Sequence, residues 1–135
     1  MFLTALRAWL GLVGSIAIVN GATCFVDATY PSRMLYTANP TQVTPLASRL
    51  FGVWTLLAGA LRVASAINTA DTTLYVLTII SFVLANVHFV SEIWVYRTAK
   101  ITGKTISPLV VSGVSILWML VAYSDAANSY KSIHA

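Results

Sequence analysis

Charged residues divide this chain into apolar runs. Arg7 and Asp27 enclose 8–26, Asp71 and Glu92 enclose 72–91, and Lys104 and Asp125 enclose 105–124, with no Asp, Glu, Lys or Arg inside any of the three. A hydrocarbon core about 30 Å thick needs roughly 20 helical residues, so each run is long enough to span. A fourth run, 46–67, contains Arg49 and Arg62. On a helix they stand about 20 Å apart, so a centred segment would place both near its two faces, where long side chains snorkel. The pattern predicts helices over about 4–26, 47–67, 73–95 and 106–124. The expected fold class is all-α integral membrane, a four transmembrane helix bundle forming one domain over 1–135.

The connections differ in kind. Asn68-Thr69-Ala70-Asp71 reads as a tight polar turn. The third connection is basic and reaches Gly103, with Pro108 near a helix start, where proline is tolerated. The first, 27–46, is long and holds Pro31, Pro40 and Pro45. Loops of that length are uncommon and often functional. Its Tyr30, Met34, Leu35 and Tyr36 suit the membrane surface or a partner, although composition is equally compatible with a mobile linker. Asn39-Pro40-Thr41 is disallowed for glycosylation by its central proline. The first run also admits a signal-peptide reading, with Arg7 as the basic start and Asn20-Gly21-Ala22 as the small-residue site.

Composition supports the membrane reading. Apolar residues make up 58% of the 135 and charged residues 9%, against about 25% charged in a soluble domain. The net charge of +4 lies mostly between the runs and makes no basic stripe, which argues against nucleic-acid binding and for orientation and contact with anionic headgroups. Arg33, Arg49, Arg97, Lys100 and Lys104 fall on the side of the first and third loops. Arg7, Lys131 and the nearby Arg62 fall on the other, so the positive-inside bias puts the two loops in the cytosol. Cys24 is the single cysteine, which excludes an intrachain disulfide, and it reads as a small apolar residue near a helix end.

His88 and Glu92 stand at i and i+4 and share a helix face. A metal site needs three or four ligands, and His134 lies far off in the tail; no metal is expected. Asp27, Asp71, Glu92 and Asp125 sit mostly at membrane edges, which suits neither a catalytic set nor the midplane acid of a proton-coupled transporter. We therefore expect no catalytic residues and no cofactor. The remaining reading is a polar clasp. The second and third spans are joined by a short turn, so Arg49 and Glu92 come to one face, where an ion pair is expected. His88, one turn deeper, would donate to a backbone or side-chain oxygen, and Arg62 would snorkel or reach Asp71. Gly11 with Gly14, Ala17 with Gly21, and Gly52 with Gly59 could permit close helix approach. Trp9, Trp54, Trp94, Tyr96 and Trp118 read as interfacial anchors or packing residues.

Several stretches together resemble a known family. They are Leu35-Tyr36-Thr37 with Pro40, the run Arg49-Leu50-Phe51-Gly52-Val53-Trp54-Thr55-Leu56-Leu57, then Arg62 and Leu74-Tyr75. His88-Phe89-Val90-Ser91-Glu92, Tyr96-Arg97-Thr98-Ala99 and Pro108-Leu109-Val110-Val111-Ser112 follow in the same order. From about Trp9 to Met119 the chain resembles ergosterol biosynthetic protein 28; the tail after Tyr123 shows no such match. The resemblance implies a non-enzymatic, multi-pass protein of the endoplasmic-reticulum membrane. It would scaffold the sterol C-4 demethylation enzymes: the methyl oxidase, the sterol dehydrogenase/decarboxylase and the 3-keto reductase. The motif positions Arg49, Trp54, Arg62, His88, Glu92 and Tyr96 would then be structural or partner-docking residues. Besides those enzymes the expected partners are membrane lipid and a second copy in a homodimer. The alternative is a small sterol- or lipid-binding carrier in the same membrane.

Overall fold

A computed structural model of the chain describes residues 2–135. Its elements are α1 (Phe2–Val26), α2 (Tyr30–Met34), a 3-10 turn (Pro40–Gln42), α3 (Pro45–Ile67), α4 (Thr72–Trp94) and α5 (Gly103–His134). The four long helices are each long and apolar enough to cross a membrane. They form a four-helix membrane bundle whose outward positions carry bare aliphatic side chains such as Leu12, Leu50, Leu57, Leu84 and Leu117.

Local chemistry sets the helix ends. Thr44 begins α3, its hydroxyl accepting from the Ala47 N–H at 3.1 Å with Pro45 at the first helical position. Asp71 does the same for α4, accepting from the Leu74 N–H at 3.0 Å. At the far end of α4 the chain turns at Arg97, whose φ of 57° is left-handed. The Tyr96 N–H returns to the Ser91 carbonyl at 2.8 Å and the Thr98 N–H to the Glu92 carbonyl at 2.9 Å, which satisfies the last carbonyls of the helix. The fourth span was expected to end near 124, but α5 runs to His134. No Gly or Pro follows Gly113 to stop it, and Ala126 still docks in the core beside Leu6 and Ala122.

The helices join as two close pairs. α1 packs most extensively on α3, and α4 on α5. The α1–α3 seam is built on glycine. A Cβ on Gly14 would lie 2.9 Å from the Gly59 carbonyl oxygen, and one on Gly59 2.8 Å from that of Gly14. Gly21 and Gly52 repeat the arrangement at 2.9 and 2.8 Å, so the two helices are antiparallel and their backbones touch twice. Gly11 is not part of this contact, since a Cβ there would meet only the Ala66 Cβ at 3.7 Å. Polar side chains join the other seams. Trp9 Nε1 donates to Ser115 Oγ (2.8 Å, α1–α5), Tyr75 to the Met119 carbonyl (2.6 Å, α4–α5) and Thr78 to the Leu61 carbonyl (3.1 Å, α3–α4).

Candidate functional site: a polar cap and an inner cavity

The first loop is folded onto the bundle. Asp27 pairs with Arg33 at 3.0 Å and accepts from the Thr29 N–H and hydroxyl at 3.0 and 2.6 Å. These bonds, led by those from Thr29, hold the Asp27 carboxyl below its ordinary range. Ser48 donates to the Ala28 carbonyl. The amides of Ala38 and Asn39 donate to the Thr98 carbonyl at 3.1 and 3.3 Å, tying the first loop to the third.

Tyr36 is the centre of this cap. Its hydroxyl is joined to His88 Nε2 at 2.6 Å, in a bond whose direction follows the histidine tautomer. Its ring meets Phe51 edge-on at 6.0 Å, and Phe51 meets Trp54 at 5.4 Å. Trp54 closes on His88 at 5.3 Å. Phe51 and Trp54 lie three apart on α3 and therefore share the face turned toward α4. Burial pushes the Tyr36 hydroxyl above its ordinary pKa, and the Glu92 charge adds to that, so the phenol keeps its proton.

The structure separates the six residues singled out by sequence. Trp54 and His88 meet in the cap. Glu92, one turn on, uses its carboxylate to accept from the Thr98 hydroxyl. The expected Arg49–Glu92 ion pair is not formed; Arg49 is exposed, and among the described residues no pairing joins the two. The carboxylate is engaged by its own loop, and α3 turns Arg49 outward next to Leu50. Tyr96 lies past the end of α4, 66% exposed. His88 finds a side-chain oxygen, that of Tyr36. Tyr36 was not among the six, and its signal was its place between Pro31 and Pro40 in a loop too long to be idle.

Arg62 is the larger correction. It neither snorkels nor reaches Asp71, whose carboxylate caps α4. Only 8% of Arg62 is exposed. It follows Trp54 and Ala58 at intervals of four along α3, the row that faces the bundle interior. Its Nε lies 3.3 Å from Ser81 Oγ and its Nη2 3.5 Å from the Ser81 carbonyl. The guanidinium carbon sits 4.1 Å above the centre of the Phe82 ring. Arg62 lines a cavity of about 470 Å³ between the two helix pairs, with Val13, Ala58, Phe82, Ala85 and Val111 among its apolar walls. Asn20, Tyr30 and Lys104 also line it, toward the loop end.

Among the described residues no three His, Cys, Asp or Glu side chains gather where they could hold a metal ion. Cys24 is buried on the α1–α3 seam, its Cβ 3.0 Å from where a Gly52 Cβ would stand.

The fold and this site define a class: a small multi-pass helical membrane protein whose polar groups are concentrated in an end cap and around one sunken cation. Residues 6–117 match the family described as Erg28 like protein, and the chain belongs to that family. It is 45% identical over 120 residues to the ergosterol biosynthetic protein 28 homolog of Homo sapiens, covering 89% of this chain and 86% of the human one. It is 32% identical over 114 residues to ergosterol biosynthetic protein 28 of Saccharomyces cerevisiae, covering 84% and 77%. The protein of that name in Arabidopsis thaliana is 30% identical over 129 residues, covering 96% and 98%. No solved structure matches the chain.

Proposed function

We propose that this chain is a non-catalytic scaffold of the endoplasmic-reticulum membrane, tethering the sterol methyl oxidase, the sterol dehydrogenase/decarboxylase and the 3-keto reductase of C-4 demethylation. Family membership supports a place in sterol biosynthesis. The observation that carries the tethering is the cap. Tyr36, His88, Glu92 and Thr98 lock two loops into one end surface. Beside it Leu46, Leu50, Trp94 and Tyr96 are left bare. A fixed surface with exposed aromatic and aliphatic groups suits helix-to-helix docking at the headgroup level. Trp54, His88 and Glu92 hold that surface in shape, while Arg49 and Tyr96 face the partners. Tethering would place each enzyme at roughly millimolar effective concentration for its neighbour.

The loops face the cytosol in this reading. With Arg62 inside the bundle, the opposite end keeps only Arg7 and Lys131 against the five basic residues of the loop end. Arg7 is moreover held at the end of α3, its Nε 2.8 Å from the Ala66 carbonyl.

Affinity purification of the tagged protein from its own membranes tests the proposal. The three enzymes should be recovered together, and Tyr96→Ala combined with Leu50→Ala should lower their yield while leaving the scaffold's melting temperature unchanged. Recovery of the chain without any of them would overturn it.

A further inference from the structure

We propose that the inner cavity is a binding site for a rigid apolar lipid of sterol size bearing one carboxylate, seated with the carboxylate against Arg62. A guanidinium has five N–H donors. Here two contacts, both long, go to Ser81, and among the described residues no carboxylate stands within ion-pair distance. An ionised side chain sunk in a membrane bundle without a counter-ion is costly and marks a functional position. The Phe82 face offsets part of that cost but leaves the outer edge of the guanidinium without an acceptor.

The space beside Arg62 narrows the ligand. Its 470 Å³ lies within the range of small-molecule sites. Its walls are mostly aliphatic and aromatic, with Asn20, Thr55, Ser107 and Ser112 among them as the uncharged polar side chains. From Phe51 to Arg62, both lining it, α3 advances about 16 Å, which suits a long body with its charge at the inner end. The guanidinium at the inner end matches one carboxylate in a two-pronged contact, while Lys104, the other cation of the lining, lies at the loop end beside Met34.

This deepens the scaffold reading and rests on it for the identity of the acid. A methyl oxidase working ahead of a decarboxylase must hand over a carboxylic acid, the class of molecule this cavity fits. Scaffold and carrier then become two properties of one molecule.

The test measures binding to the purified full-length chain in detergent micelles. The probes are a sterol 4-carboxylic acid, its methyl ester and oleic acid. The acid should bind about tenfold or more tighter than the ester, as expected for one buried charge-assisted contact, and also tighter than oleic acid. Arg62→Gln should remove the preference for acid over ester. Ala85→Phe, which fills the cavity and leaves Arg62 in place, should weaken both sterol probes and decides the matter if the arginine variant does not fold. Equal binding of acid and ester, an undiminished preference in Arg62→Gln, oleic acid binding as well as the sterol acid, or no effect of Ala85→Phe would each overturn the site. Enzyme recovery reports separately. Enzymes recovered without acid binding sink this inference alone, and acid binding without enzymes sinks the scaffold alone.

Discussion

Helix α3 has two inward faces, and they are built on opposite principles. Toward α1 it presents Gly52 and Gly59, and the two backbones touch with no side chain between them. Toward the bundle interior it presents Trp54, Ala58 and Arg62, which line a cavity. In lipid there is little hydrophobic gain from joining helices, so close backbone packing is what makes α1–α3 the firm pair. The second face forgoes that packing to keep a cation and an open volume. Tight packing and the proposed ligand site thus occupy different sides of one helix.

Replacing Gly59 with leucine should break this division most severely. Its Cβ would meet the Gly14 carbonyl, a backbone atom that cannot step aside. A loss of about 3 kcal/mol, the upper end for overpacking, is expected in detergent melts. Arg62→Met should act in the opposite direction on the other face, stabilising the unliganded protein by about 1–2 kcal/mol in the same melts, because a buried ion gives way to an apolar group. Tyr36→Phe removes the cap's central hydrogen bond and should cost about 1 kcal/mol, read as faster proteolysis and hydrogen exchange in 27–44. Gly11→Ala sharpens the contrast within α1. An added methyl there makes only an ordinary contact with Ala66, so the helix should gain about 0.5–1 kcal/mol where Gly59 tolerates nothing. The smallest effect concerns pH. The Asp27 carboxyl is lowered in the folded loop, so its contribution is complete above the ordinary aspartate pKa of about 3.9 and fades as pH falls from there through the lowered value. Protection of the Thr29 amide, taken relative to its intrinsic exchange rate at each pH, should fall only in that acid window.

Sequence reading located the spans well because their signal is coarse: charge-free length and hydropathy survive any uncertainty in packing. The partners of the polar residues were harder. Arg49 and Glu92 do lie toward one end of the bundle, yet proximity along the membrane normal says nothing about rotation around a helix axis. A local acceptor, the hydroxyl of Thr98 six residues from Glu92, took the carboxylate. Arg62 lies within its apolar run, and the expectation that it snorkels or reaches Asp71 rested on its nearness to the membrane face alone. Its interval of four from Ala58 and Trp54, both on the inner row, was visible in the letters and pointed inward. Of the small-residue spacings, Gly52 with Gly59 lies on the seam, but its counterpart on α1 is Gly14 with Gly21, also seven residues apart, and not Gly11 with Gly14 or Ala17 with Gly21; that match requires knowing which helices are neighbours.

The glycine seam also bears on how the chain enters its membrane during synthesis. α3 carries two arginines, which makes it the span least able to partition into lipid unaided. Its tightest companion, α1, precedes it in the chain and so leaves the ribosome first. A strip of two glycine pairs lets α3 dock on α1 without waiting for α5, the last span to be made.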